Sequence, residues 1–179
     1  MQFIKDFFLN FRNKSLAKRA KAIARRTADF RQAKRIGILF NLPQNAAHQA
    51  LNSFVAELAA EGKQIQTLCY FEAQHQNPYQ FKFDFFTQKD IALTGEVKAK
   101  EVEQFIAQPF DFLFCIQQQP RPELDYVLLQ SKALCRVGVF DENRTNCFEL
   151  MVKASAQDSL QNIINTMLSY TKALTNNGK

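Results

Sequence analysis

The side chains of this 179-residue chain best placed to do chemistry lie just beyond three short apolar runs. KRIGILFN leads into Asn41, Gln44 and Asn45; FDFLFCI leads into Gln117, Gln118, Gln119 and Arg121; CRVGVF leads into Asp141, Glu142, Asn143 and Arg144. Amides, carboxylates and guanidinium groups in this mixture suit hydrogen-bonded recognition of a small polar molecule. Asn41, Gln44, Gln117, Gln118, Arg121, Asp141, Asn143 and Arg144 are therefore the candidate ligand-binding set. A binding or interaction module without catalysis is the first expectation. A small transferase or hydrolase acting on a phosphorylated or sugar-like ligand is the enzymatic alternative for the same residues. No residue is assigned a catalytic role, and no cofactor follows from these side chains.

The motifs of common reaction centres are missing. The turn after the first run, NLPQNAAH, has no glycine to let a backbone approach a pyrophosphate, and neither a Gly-Lys-Ser/Thr phosphate loop nor a Gly-x-Ser-x-Gly elbow occurs. His48 and His75 stand apart from other metal-ligating residues, so no metal site is expected. Asp84, Asp90 and Asp111 would serve as acid or base only if folding buried them together, and Asp111, beside a strand start, reads as structural.

The elements that must position these residues follow from periodicity. Strands are expected at 34–41, 64–71, 110–116, 134–140 and 148–152, with an edge strand at 82–86. Helices are expected from about 45 to a Gly62 cap, near 99–107, near 122–132, and after a Ser155 and Asp158 capping pair. Residues 72–98 otherwise read as loop and irregular structure. Alternating strands and helices imply a Rossmann-like α/β fold, a mostly parallel sheet in three layers, with ligands outside the carboxyl ends of its strands. One α/β domain over 34–179 follows a basic amino-terminal helix over 1–33.

That helix carries most of the chain's charge. Residues 1–36 hold 11 of the 23 Lys and Arg against Asp6 and Asp29, a net +9, while the remainder carries −3. Residues 2 to about 32 contain no Gly or Pro and are expected to form one continuous helix. Leu9, Leu16, Ile23 and Phe30 recur every seven residues as a narrow apolar stripe that would hold the helix weakly on the body, and both a docked and a projecting helix stay open. Its first turns carry Phe3, Phe7, Phe8 and Phe11, a wide aromatic face expected to be covered by a second copy or another protein. Lys18, Arg19, Arg25 and Arg26 are the candidate polyanion contacts, with nucleic acid or an anionic membrane surface as further partners.

No apolar stretch approaches the roughly 20 residues of a membrane span, and the opening MQFIKDFFLNF lacks the layout of a signal peptide. A cytoplasmic location, peripheral to the membrane at most, is expected.

KRIGILF, Lys89-Asp90, Gly95, PFDFLFCI, and SKALCRVGVFDE leading into FELMV resemble an uncharacterised family of short bacterial proteins with a basic amino-terminal helix and an α/β body. That resemblance implies the fold and no reaction. More distantly, PFDFLFCIQ followed by LLQSKALCRVGVF is similar to the amino-terminal domain of heptosyltransferase-type GT-B glycosyltransferases. The second resemblance implies an acceptor-binding half with Gln117, Gln118 and Asp141 near its cleft.

Cys69, Cys115, Cys135 and Cys147 have no Cys-x-x-Cys spacing, and the first three fall in expected strands, so they are expected to be small buried hydrophobes in a reducing compartment. The intact mass of protein purified without oxidant should equal that of four free thiols. A mass lower by the hydrogens of even one disulfide would contradict this reading.

Overall fold

Six apolar, β-branched and aromatic segments pair in parallel: β1 Arg35–Asn41, β2 Gln64–Phe71, β3 Asp84–Thr87, β4 Phe112–Gln117, β5 Cys135–Val139 and β6 Leu150–Val152. Their order is β3-β2-β1-β4-β5-β6, so the winding direction reverses between β1 and β4. The computed structural model describes residues 2–20, 25–26, 29–41, 45–72, 83–117, 119–155 and 157–174. Parallel strands bury both faces, and the alternation inside β1 divides its side chains between two cores. Ile36, Ile38 and Phe40 face α2 (Asn45–Ala60) and α5 (Leu160–Ala173); Leu39 faces the side that carries α3 (Lys100–Ala107) and α4 (Pro122–Gln130).

Local signals set the boundaries. Gly62, at φ +75°, closes α2 in a conformation that side-chain-bearing residues avoid. Asp111 accepts from the backbone N–H groups of Lys34 and Arg35 at 2.7 and 2.9 Å, which fixes the start of β1 and makes this carboxylate structural. Asp90 belongs to a capping box with Thr87, at the opposite end of the sheet, so Asp84, Asp90 and Asp111 form no common centre. Ser155 and Asp158 make a turn, with Ser155 N donating to Asp158 at 2.7 Å, but α5 opens later, at Ser159, whose hydroxyl accepts from Asn162 N.

The amino-terminal helix departs most from expectation. Helix α1 runs from Gln2 to Ala20, and Arg25 and Arg26 are already non-helical, so there is no continuous helix to residue 32. Arg25 donates to the carbonyls of Ala133 and Ser131 at 2.6 and 3.0 Å, Arg26 N donates to Leu134 O, and Asp29 accepts from Arg31 N in a turn. These contacts carry the chain past the amino ends of the strands. Phe30 therefore packs in the α2–α5 core, on the other face of the sheet from Leu9. Ile23 lies outside the described residues.

Helix α1 is docked, lying along α4. Leu9 is wholly buried, Leu16 and Ala17 pack beside it, Ala20 is buried, and Asn13 donates to Pro122 O at 2.8 Å. Its close approach depends on Gly95, which sits at φ +73° in a turn where Gly95 N donates to Ala92 O at 3.0 Å. A Cβ there would fall 2.6 Å from Leu9 N and 2.6 Å from Phe8 C, against helix backbone that has no room to give. Gly95→Ala should cost at least about 2 kcal/mol from the left-handed backbone and the overlap together. A urea midpoint unchanged by that substitution would show that α1 is not seated on this turn.

Candidate functional site

The strand-end loops meet beyond the carboxyl ends of β4 and β5, on the β5 side of the reversal point. A cleft of about 640 Å³ opens there, with Val139, Phe140 and Ile163 as apolar wall and Gln117, Asp141, Asn143 and Arg144 among its polar lining. Four of the eight residues expected to bind ligand thus share one cavity. Asn41 is the register partner of Gln117 across β1 and β4, but its amide is spent on Tyr70 O at 2.8 Å. Arg121 turns away to an ion pair with Glu72. Gln44 and Gln118 lie outside the described residues.

Arg144 is held from three sides. Its Nε donates to Asp125 Oδ1 at 2.9 Å and Nη2 donates to the same oxygen, while the guanidinium carbon lies 5.1 Å from the centre of the Phe148 ring. With its amide oxygen turned inward, Gln117 accepts from both terminal nitrogens, at 2.7 Å from Nη2. Burial opposes the charge on Arg144, and the Cys115 and Asp125 side chains hold its pKa above the usual arginine value. The only cation among the described lining residues is therefore neutralised from behind. Asp141 accepts from Asn143 N at 2.9 Å and Asp158 from Ser155 N, so both carboxylates shape the rim as turn caps of the cleft lining. Glu142 and Asn143 are exposed beside them. The rim is net acidic.

The sequence reading missed Asp125, Ser155, Asp158 and Ile163. Asp125 sits in the first turn of α4, where an acidic residue is explained by the helix dipole alone. Nothing in its spacing marks it as the partner of Arg144. Of the candidate polyanion contacts, Lys18, Arg19 and Arg26 are exposed, but the Arg25 side chain is buried and also ion-paired to Glu149 at 3.5 Å, so it anchors the fold.

The cysteines offer no thiolate. Burial pushes the Cys115, Cys135 and Cys147 thiols up to about 12, and Cys69 is raised further by the same cause. All four are free. Among the described residues no three His, Cys, Asp or Glu side chains gather as a metal site.

A second polar group is buried under α1. The Tyr70 hydroxyl lies 2.6 Å from Gln88 Oε1 and 3.0 Å from Glu123 Oε1, and Glu123 Oε2 has no hydrogen-bond partner. The hydroxyl donates to Glu123 Oε1, a bond that favours the carboxylate. Desolvation, the largest influence on Glu123, outweighs it and raises the pKa above the ordinary 4.5.

A parallel sheet in this order, with a polar cleft outside the strand ends, defines a doubly wound, Rossmann-like α/β protein. A family model matches residues 5–174, and the chain belongs to that family, a family of unknown function (DUF6913). No curated protein and no solved structure matches the chain, so the glycosyltransferase resemblance draws no support from either.

Glu123 supplies a pH test. Its folded pKa is raised above the unfolded value, so its contribution to stability is complete below about pH 4.5 and is lost as pH rises through the folded pKa. Glu123→Gln keeps the shape without that loss. The variant should match the parent in urea denaturation near pH 4 and exceed it near pH 8. A gap that instead opens on acidification would mean that Glu123 is ionised and paired in the fold.

Proposed function

We propose that this protein is a non-catalytic α/β binding module that takes a small hydroxylated or amine-bearing molecule in the cleft beyond β4 and β5. The observation that carries this reading is the charge balance of the cleft. Its apolar wall lies beside Asp141, Glu142 and Asp158, and the single guanidinium of its described lining is already paired with Asp125. A phosphorylated ligand would meet uncompensated carboxylates, which costs several kcal/mol when like charges are juxtaposed at an interface. A sugar ring or an alkyl amine would meet acceptors, amides and the half-exposed Phe140 ring, a surface suited to CH and cation contacts.

The enzymatic alternative needs a free acid, base or nucleophile at the same place. Asp141 and Asp158 already accept backbone N–H groups, Glu142 stands exposed to solvent, and the neighbouring thiols are protonated at neutral pH, which supports binding over turnover. Four buried, free cysteines support residence in a reducing compartment, and we place the protein in the cytoplasm.

Titration of isotope-labelled protein with neutral sugars, amino sugars and polyamines, and separately with sugar phosphates, tests the reading. Amide shifts at Gln119, Asn143 and Ser155 should follow the neutral or cationic compounds. Glu142→Gln should weaken an amine by up to about fivefold, the upper end of one exposed charge contact. Shifts produced by sugar phosphates alone would overturn the proposal.

A further inference from the structure

Helix α1 presents opposite lines of residues to the body and to solvent. Leu9, Asn13, Leu16 and Ala20, at spacings of four, three and four, face the body. Phe7, Phe11, Lys14 and Lys18 have the same spacings and face outward, with Phe3 and Ile4 beside the aromatic half. Phe3, Phe7 and Phe11 are 83%, 62% and 68% exposed. Phe8 and Leu93 extend the apolar surface across a groove of about 560 Å³ between α1 and the Gly95 turn. A surface of this size is larger than a scatter of single exposed hydrophobes.

We infer that this outer face of α1 docks the protein onto an anionic lipid bilayer, with the phenylalanines entering the interfacial layer and Lys14 and Lys18 reaching its headgroups. Charge complementarity selects that occupant. Helix α1 carries Lys5, Arg12, Lys14, Lys18 and Arg19 against Asp6, a net +4. Lys5 is turned to Gln88 O at 3.1 Å and Arg12 approaches Glu96 at 3.8 Å, which leaves Lys14, Lys18 and Arg19 for an external partner. A second copy would match the aromatic half of the line but offer lysines to its cationic half. A sheet of anionic headgroups over hydrocarbon answers the whole line at once. The binding is interfacial, because no described helix is long and apolar enough to cross a membrane. The docked underside keeps the geometry fixed: the helix is already folded and oriented before it meets the surface.

The test uses the intact protein and sedimentation with two vesicle preparations, pure phosphatidylcholine and phosphatidylcholine with phosphatidylglycerol at three to one. Partitioning should be confined to the anionic vesicles and fall as salt rises. Phe7→Ser and Phe11→Ser should each reduce it about tenfold, and Lys14→Gln and Lys18→Gln about fivefold each. All four substitutions lie on the exposed face, so circular dichroism and the urea midpoint should be unchanged, which separates lost binding from lost folding. Absence of partitioning onto anionic vesicles overturns the inference. So does a dimer in light scattering that Phe7→Ser and Phe11→Ser dissolve while vesicles are ignored, because the face would then belong to a second copy.

Discussion

An arginine enclosed in a parallel sheet is tolerable only if nearly every N–H it carries is answered, and Arg136 of β5 imposes that condition on this molecule. Its side chain is 3% exposed, yet Nε and one Nη2 contact reach Glu149 at 3.0 and 2.7 Å, Nη1 donates to Leu128 O at 3.0 Å, and Nη2 donates to Asn146 O at 2.9 Å. One side chain thus joins β5, the end of α4 and the residues leading into β6. Glu149 also holds Arg25, so the same carboxylate pins the segment that follows α1. Removing one member would leave a buried charge unpaired at a cost of about 3 to 5 kcal/mol. The segment that follows α1, the end of α4 and the β5–β6 edge are tied together by this one ion cluster.

The same logic changes the meaning of the basic composition. Formal charge counts treat every Lys and Arg of the first 36 residues as available to a polyanion. Arg25 is consumed by carbonyls and Glu149; beyond that segment Arg136 and Arg144 are consumed by carboxylates, and Lys63 donates to Phe30 O and Ala33 O at 2.8 Å each. What remains exposed on α1 is a short cationic line continuing an aromatic one. Outside α1, Arg26, Arg31, Lys34 and Arg35 of the same segment are exposed as well.

How much of this was legible depended on whether the signal was local. RIGILFN, FLFCIQ and the second half of QIQTLCYF are apolar on both alternations, which identifies strands buried on two sides, while Gly62 marks the end of α2 and Pro122 the start of α4. The order of connections then leaves few topologies. The long helix to residue 32 failed for a tertiary reason. Leu9, Leu16 and Phe30 do recur on a helical period, but they belong to two cores on opposite faces of the sheet, and good propensity in between yields to the Arg25 and Arg26 contacts. The cleft was half legible: strand-end position pointed to Gln117, Asp141, Asn143 and Arg144. The pairing of Arg144 with Asp125 joins residues 19 apart on separate elements, and no spacing rule predicts it, although it decides the charge of the site.

The turn between β4 and α4 relates the two exposed surfaces to one another. Gln119 and Pro120 line the cleft, Pro122 opens α4, and Asn13 of α1 donates to Pro122 O. Glu123 then enters the buried pair with Tyr70 beneath α1. Pro120 and Pro122 fix φ at two positions between the cleft and α4, and the Asn13 and Glu123 contacts hold the first turn of α4 against α1 and Tyr70. The cleft rim and the underside of α1 thus meet at the start of α4.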